Sequence, residues 1–169
     1  MAMRGILDCE TLAEAVKAAT RFQLGCCANF MIGHKNGECV DIEIENEEFD
    51  VIYPKDGIIV HTNHFISSRI PILPRKDMGK RKFTDSFVRL GRADKLLRKK
   101  GSEISEEDIK AVLTDHVESP SSICRHYDEK LETVLRMGTV LSMIINLTKG
   151  VILFCKGNPC DLEYEKSRL

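Results

Sequence analysis

The chain has 169 residues, of which 43% are hydrophobic and 30% are charged, and its net charge at pH 7 is −1. This length and composition are typical of one globular domain with a substantial core. The near-neutral charge gives no general electrostatic argument for DNA or membrane binding, and no apolar run approaches the length of a membrane-spanning helix.

The charge is unevenly distributed along the chain. Residues 1–50 hold ten acids and four bases, whereas residues 75–100 hold eleven bases and three acids. A solvated helix face is the simpler interpretation of the basic segment, and a site for phosphates or carboxylates is the alternative. Nucleic-acid binding ranks last, because Phe83 and Phe87, the aromatic residues among these bases, fit core positions. We therefore expect no nucleic-acid partner.

The seven cysteines indicate free thiols in a cytoplasmic protein. Their number is odd, and the opening "MAMRGILDCETLAEAV" enters an amphipathic helix pattern without the apolar region of a secretory signal. Cys155 and Cys160 lie close in the sequence, but no second pair has metal-binding spacing and the five histidines are scattered. We therefore expect no zinc or other metal site.

The first part of the chain predicts one helix and a four-stranded antiparallel meander. Apolar residues at helical spacing predict the helix over residues 10–22, which ends at Gly25. The strands "CANFMIGH" and "ECVDIEIE" flank an Asn-Gly pair, and the second alternates apolar with acidic residues, which indicates one wet face. A second hairpin follows, with "FDVIYP" and "GIIVHTN" on either side of an Asp-Gly pair.

The second part predicts helices followed by another hairpin. Residues 70–82 are interpreted as an irregular loop, after which Thr84 and Ser105 are helix caps. Residues 116–130 have the composition of a loop, and residues 133–157 that of a strand, a turn and a strand. Local strand pairs with helices between them favour an α+β layered fold over a doubly wound one.

The stretch "GIIVHTNHFISSR" runs a hydrophobic strand into a polar cluster. The amide of Asn63 could donate a hydrogen bond to a developing oxyanion, or it could satisfy backbone groups in a turn. The residues alone leave both interpretations open. His61 and His64 could act as general bases, although histidines at strand ends more often form local hydrogen bonds.

Two other groups of residues carry candidate chemistry. Cys26 and Cys27 follow a glycine, as an exposed nucleophile can, but cysteine is among the most buried residue types and core packing is the favoured interpretation. The sequence "SSICRH", residues 121–126, combines hydroxyl, thiol, guanidinium and imidazole groups. Neighbouring side chains in a loop point in different directions, so this spacing alone assigns no reaction.

Five segments together resemble a known family. They are "CANFMIGHKNGECVDIEI", "VIYPKDGIIVHTNHF", "DSFVRLGRADKLL", "ISEEDIKAVLTDHVESPSSICRH" and "KGNPCDLEYE". In this order they resemble the carboxy-terminal half of the acyl-coenzyme A:6-aminopenicillanate acyltransferase (isopenicillin N acyltransferase) family. The resemblance implies an αββα N-terminal nucleophile hydrolase sandwich that cuts or transfers linear amides, with residues 1–169 as one partial domain.

The resemblance also implies roles for three residues. Asn63 matches an asparagine of the family's oxyanion hole, Arg125 an arginine near the nucleophile, and Ser122 a serine beside that arginine. The α-amine of an amino-terminal cysteine would act as the base, so the reaction would need no histidine. It implies a small-molecule amide or acyl donor as substrate and no bound cofactor, with a coenzyme A thioester as a candidate acyl donor.

One departure from the family pattern concerns the nucleophile. In the family, the self-cleaving cysteine lies upstream of the matched segments, and Cys26 lies only 37 residues before Asn63. We therefore expect a protein that supplies oxyanion and substrate-binding residues but is inactive alone. The alternative is a non-enzymatic folded fragment or partner-binding module.

The same departure leads to an expected partner. Half of a sandwich should leave an apolar face open, so we expect the missing amino-terminal half or a second copy of the chain to cover it. The strands around residues 58–60 and 141–145 are the expected contact.

Overall fold

The computed structural model describes residues 2–21, 25–46, 48–70, 77–101 and 103–169. The chain contacts divide it into two compact units, Met1–Thr84 and Asp85–Leu169. Each unit combines helices with one three-stranded antiparallel sheet, which confirms the predicted α+β class. The prediction of a single domain over residues 1–169 stays a prediction.

Among its described residues, the first unit contains three helices and three strands. In chain order they are α1 (Ala2–Leu7), α2 (Leu12–Thr20), β1 (Ala28–Gly33), β2 (Cys39–Glu45), β3 (Glu48–Ile52) and α3 (Met78–Lys82). The strands form an antiparallel sheet in the order β1-β2-β3. The predicted first helix is confirmed as α2, which begins with a capping box between Thr11 and Glu14. The end of that prediction, residues 22–24, lies outside the described residues.

The core of the first unit lies between helices α1 and α2 and one face of β2. Val40, Ile42 and Ile44 project from alternate positions of the strand and pack with Ala15 and Ala19 of α2. Full burial of a side chain such as isoleucine contributes about 1.5–3 kcal/mol, so this layer is the main hydrophobic contribution of the unit.

The opposite face of β2 is buried as well, and the expectation of a wet acidic face is wrong. Asp41 is 0% exposed and Glu43 is 1% exposed. A buried carboxylate needs hydrogen-bond partners. The segment that follows β3 supplies those of Glu43, and Asn29 of β1 supplies one to Asp41. The alternation of apolar and acidic residues therefore predicted correctly which residues share a face of this strand. It did not predict that the acidic face is buried.

The predicted fourth strand is absent from the described residues between 57 and 70. A single bridge joins Lys55 and Ile58 across a tight turn in which Asp56 and Gly57 have positive φ. Just beyond the predicted strand, the carboxylate of Glu43 accepts hydrogen bonds from the backbone N–H groups of Ile66 and Ser67. The segment is thus held by a side chain rather than by a strand ladder.

The predicted loop over residues 70–82 is also partly wrong. Residues 71–76 lie outside the described residues, but residues 78–82 form helix α3. The side chain of Asp77 caps this helix by accepting a 2.9 Å hydrogen bond from the backbone N–H of Lys80.

In the part that the structure describes, the second unit contains two longer helices, a short 3-10 helix and a sheet. These elements are α4 (Asp85–Arg98), α5 (Glu106–Leu113), the 3-10 helix Thr133–Leu135, β4 (Ser142–Asn146), β5 (Val151–Cys155) and β6 (Glu165–Arg168). The strand order is β4-β5-β6, and all pairs are antiparallel. Both helices and the loop over residues 116–130 are confirmed. The strand predicted from residue 133 begins only at Ser142.

Several apolar side chains of the second unit are exposed. Met143 and Ile145 alternate on one face of β4 and are 44% and 50% exposed. Association through this region stays a prediction, which solution scattering of the purified chain would test. Phe87 was expected at a core position, but it is 48% exposed.

Candidate functional site

A cavity of about 290 Å³ lies within the first unit, beside the acidic face of β2. Its lining joins residues from the start of β1, from β2, from residues 61–65 and from the start of α3. The polar lining residues are Cys27, Asn29, Glu43, His61, Thr62, Asn63, His64 and Asp77. The cavity therefore contains Asn63, one of the three residues that the family resemblance singled out.

Glu43 is the centre of the hydrogen-bond network in this cavity wall. Its Oε1 accepts from the backbone N–H of Ile66 at 2.6 Å, and its Oε2 accepts from the N–H of Ser67 at 2.8 Å. The Nε2 atom of His61 lies 2.7 Å from Oε1. One buried carboxylate thus fixes the segment on both sides of Asn63.

Asp41 lies next to Glu43 on the same face of β2. The Nδ2 atom of Asn29 donates a 2.7 Å hydrogen bond to its Oδ1. The other oxygen, Oδ2, has no hydrogen-bond partner among the described residues and lies 3.9 Å from Nε2 of His61. Desolvation raises the pKa of Asp41. The hydrogen bond from Asn29 lowers it, but by less, so the pKa is raised overall.

The two histidines of the cavity have opposite electrostatic environments. Desolvation lowers the pKa of His61, but the hydrogen bond to Glu43 and the charge of Asp41 outweigh it, so the pKa is raised overall. Desolvation dominates at the buried His64 and lowers its pKa. The pair therefore places a readily protonated imidazole and a mainly neutral one on the same wall.

Asn63 is exposed, and its backbone packs closely against the start of α3. A β-carbon on Gly79 would overlap the carbonyl oxygen of Asn63 and lie 2.7 Å from its carbonyl carbon. Gly79 is thus the residue that allows the helix to approach this segment. The position of Asn63 depends on contacts from two sides, α3 and the Glu43 network.

Ser122 and Arg125 lie together in the loop between α5 and the 3-10 helix, in the second unit. Ser122 is fully buried, and its hydroxyl donates a 2.5 Å hydrogen bond to the carbonyl of Cys124. The guanidinium of Arg125 pairs with Asp85, which also accepts a 2.8 Å hydrogen bond from Nε of Arg89. Desolvation alone would raise the pKa of Asp85. The hydrogen bonds from Arg89 and Arg125 together outweigh it, so the pKa is lowered.

The three residues singled out by the resemblance therefore fall into two groups. The structure brings Ser122 and Arg125 into one loop of the second unit, and it places Asn63 in the cavity of the first.

A comparison with protein families adds evidence that spans both units. The family model described as acyl-coenzyme A:6-aminopenicillanic acid acyl-transferase matches residues 1–161. The chain belongs to this acyltransferase family. No curated protein matches the chain. Membership confirms the family resemblance and suggests acyl-transfer or hydrolase activity.

In this acyltransferase-family chain, the thiol beside the cavity has the wrong environment for a nucleophile. Cys27 lines the cavity, and desolvation, followed by the charge of Glu45, raises its pKa. The prediction that Cys26 and Cys27 pack in the core is wrong, since both are exposed. They precede β1 rather than belonging to it.

The loop of Arg125 also brings together residues that the sequence analysis missed. His116, Cys124, His126 and Cys160 place one potential ligand atom each within 4.8 Å of the others. The segment "SSICRH" contained two of these residues, but Cys160 lies 34 residues beyond His126, so spacing gave no signal.

Within the described residues, no helix is long and apolar enough to cross a membrane.

Proposed function

We propose that this chain supplies the oxyanion donor and substrate-binding groups for acyl transfer from, or hydrolysis of, a linear amide. The observation that carries the proposal is the cavity of the first unit, where Asn63 lies on a segment fixed by the buried Glu43. Family membership supports the reaction class. The proposed fold of the complete enzyme is the αββα N-terminal nucleophile hydrolase sandwich.

The chemistry assigned to Asn63 follows from charge development at the substrate carbonyl. When a nucleophile attacks an amide, the carbonyl oxygen gains negative charge in the tetrahedral transition state. A side-chain amide that is already oriented stabilises this charge, and removing one such donor costs about 2.7–4 kcal/mol of activation free energy. Such a donor works only if its backbone is held in place, as Gly79 and Glu43 hold Asn63.

The carboxylates of β2 have a supporting role in this proposal. Glu43 accepts two backbone hydrogen bonds and contacts His61, so its contribution is the shape of the segment around Asn63. A protonated His61 would balance the charge of Glu43 and of the nearby Asp41. Neither histidine is assigned the role of general base.

We propose that the nucleophile is a cysteine at the amino terminus of another segment or chain. Its own α-amine would take the proton from the thiol, as in other enzymes whose nucleophile is the first residue. The raised pKa of Cys27 supports this assignment, because a thiol with a raised pKa is a poor source of thiolate. The chain alone is then expected to be inactive.

Arg125 and Ser122 have proposed roles on the substrate side. Asp85 holds the guanidinium of Arg125, which can bind a carboxylate or favour a thiolate through its charge. The buried hydroxyl of Ser122 holds the carbonyl of Cys124, one residue before Arg125, and therefore acts on the loop backbone. The substrate is a small-molecule amide or acyl donor, with a coenzyme A thioester as one donor to test.

The test is reconstitution of activity. The purified chain is combined with the nucleophile-bearing amino-terminal part of a family member, and release of amine from a panel of linear amides is measured. We expect activity in the mixture, none from either part alone, and a large loss in Asn63→Ala. Asn36→Ala is the matched control, because Asn36 lies in the turn between β1 and β2 and does not line the cavity.

A different result would favour a non-enzymatic module. If the mixture shows no activity although the two parts co-purify as a stable complex, the chain binds a partner without completing a catalytic site. Full activity in Asn63→Ala would remove the oxyanion role while leaving the reaction class intact.

A further inference from the structure

We propose that His116, Cys124, His126 and Cys160 form a structural zinc site in the second unit. All four residues belong to the same unit, and none has a role in the proposed acyl-transfer chemistry. The proposal is independent of the reaction, since it rests on the geometry of these side chains alone.

Four of the six distances between the ligand atoms are close to those of a tetrahedral metal complex. Zn–S bonds of about 2.3 Å and Zn–N bonds of about 2.0–2.1 Å place neighbouring ligands about 3.3–3.8 Å apart. The Sγ atoms of Cys124 and Cys160 are 3.5 Å apart. Nε2 of His126 lies 3.7 Å from Sγ of Cys124, 3.3 Å from Sγ of Cys160 and 3.0 Å from Nε2 of His116. The ligand atom of His116 lies within 4.8 Å of both sulfurs, so a cation at the centre requires movements of at most about 1 Å, mainly of His116.

The chemistry of the four ligands selects the metal. Two sulfur and two imidazole ligands are a standard set for structural zinc, and two thiolates neutralise a divalent cation. Four protein ligands leave no open position for water or substrate, which distinguishes a structural site from a catalytic one. The expected occupant is therefore Zn²⁺ with a role in holding the fold.

The surrounding contacts already hold the ligands in place. The backbone N–H of Cys124 donates to the carbonyl of Asp115 at 3.0 Å, and the side chain of Asp115 makes a double hydrogen bond with Arg92. The N–H of His126 donates to the carbonyl of Pro120 at 3.1 Å. These contacts form the loop without the metal, so the site is organised in advance.

Asn158 connects the loop of Cys124 to the segment after β5 that carries Cys160. Its Nδ2 donates to Sγ of Cys124 at 3.4 Å and to the carbonyl of Arg125 at 2.8 Å. Hydrogen bonds to a ligating sulfur are typical of the outer shell of metal sites. Asn158 lies only two residues before Cys160, so the segment after β5 brings a ligand and its support to the loop together.

A metal here would tie the loop over residues 116–126 to the segment between β5 and β6. Arg125 lies between two of the ligands, so the metal would also fix its backbone. The zinc would thus contribute to stability and to the placement of Arg125.

The experiment measures zinc binding to the full chain, prepared metal-free under reducing conditions. Zn²⁺ is titrated against a chromophoric chelator, and Co²⁺ is used as a spectroscopic probe. We expect one equivalent per chain, a thiolate-to-cobalt charge-transfer band, and a rise in Tm on adding zinc. Outer-shell partners alone contribute about 10- to 100-fold to metal affinity, so losing a ligand should weaken binding by at least about 100-fold.

The variants are chosen to avoid the buried core. Cys160→Ser and His116→Gln each remove an exposed ligand, and Cys26→Ser and His34→Gln are the matched controls outside the cluster. Weaker zinc binding in Cys160→Ser and His116→Gln, with unchanged binding in the two controls, supports the site. Absence of tight binding by the parent chain, or unchanged binding in both ligand variants, would overturn it. A Cys124–Cys160 disulfide in the reduced preparation, detected by thiol counting and peptide mass, would also overturn it.

Discussion

In the first unit, the buried carboxylate of Glu43 accepts two backbone hydrogen bonds and contacts His61, all at 2.6–2.8 Å. In the second unit, the thiols of Cys124 and Cys160 lie 3.5 Å apart beside two imidazoles. Thiols are weak donors and acceptors, so these contacts compensate the burial of Cys124 poorly. The first group is satisfied by its own chain, whereas the second has the geometry of ligands around a cation.

This difference indicates two ways in which a fold can hold a functional segment. Around Asn63, the sequence provides a charged acceptor for the backbone and a glycine that lets a helix approach. Around Arg125, it provides a salt bridge to Asp85 and a cluster of thiol and imidazole groups. The effects of substitutions in the first unit on stability and activity should therefore be the same with and without added metal. The effects of substitutions near the cluster should change when metal is added.

Among changes to the residues that support Asn63 or the metal cluster, the largest expected effect comes from Gly79→Ala. The new methyl group would overlap the backbone carbonyl of Asn63, and backbone cannot move aside as a flexible side chain can. Overpacking of this kind costs about 1–3 kcal/mol. A displacement of about 1 Å at a catalytic group can lower the rate about 100-fold. Urea unfolding and the reconstituted amide assay measure the two effects.

The control for this change is Gly91→Ala in α4, where nothing lies within 4 Å of the added carbon. Replacing glycine by alanine within a helix should stabilise the second unit by about 0.5–1 kcal/mol. Equal effects of the two variants would contradict the close packing at Asn63.

Glu43→Gln is expected to have the next largest effect. The amide group replaces one acceptor by a donor, which leaves one of the present partners unsatisfied in a buried site. Such a loss costs about 1–3 kcal/mol. The pKa of His61 should also fall, because the hydrogen bond to Glu43 helps to raise it. An NMR titration of His61 in the parent and variant chains checks this, and an unchanged titration would contradict the network.

The two units should respond oppositely to pH. The pKa of His61 is raised in the folded state, so its stabilising contribution is present below about 6.5 and is lost as the pH rises through the raised value. The hydrogen bond from Arg92 chiefly lowers the pKa of Asp115, whose contribution is present above about 3.9 and is lost as the pH falls.

Thermal unfolding of the parent chain, His61→Gln and Asp115→Asn, measured from acid to alkaline pH, would test these opposite pH dependences. The Tm deficit of His61→Gln should shrink toward alkaline pH, and that of Asp115→Asn toward acid pH. A deficit of His61→Gln that grows as the pH rises would reverse the assigned sign.

The smallest effect is expected for Cys27→Ala. This thiol lines the cavity, but its pKa is raised, so it is not assigned the role of nucleophile. The rate of the reconstituted enzyme should change by less than about tenfold, since the lost contact corresponds to less than about 1.4 kcal/mol. Complete loss of activity in this variant, with the fold retained, would make Cys27 the nucleophile instead.

The sequence predicted those elements whose signals are local. Helix α2 follows from apolar spacing, and helix α5 follows from the cap at Ser105. The antiparallel pairing of β1 and β2 follows from the Asn-Gly turn between them. In each case, residues near one another in the chain determine the structure.

The sequence did not predict features that depend on distant partners. Acidic residues alternating with apolar ones look the same whether they face water or a polar cavity, so the burial of Asp41 and Glu43 was missed. The strand β6 is exposed at all four positions and has no apolar alternation. Cys160 joins its cluster only because the segment after β5 folds back onto the loop of Cys124.

The most direct test of the proposed function is the kinetic effect of Asn63→Ala in the reconstituted enzyme. If Asn63 donates to the oxyanion, kcat should fall by about 10²–10³-fold while KM changes little, because the interaction forms only in the transition state. If KM rises and kcat is unchanged, Asn63 binds the ground-state substrate and the account is contradicted.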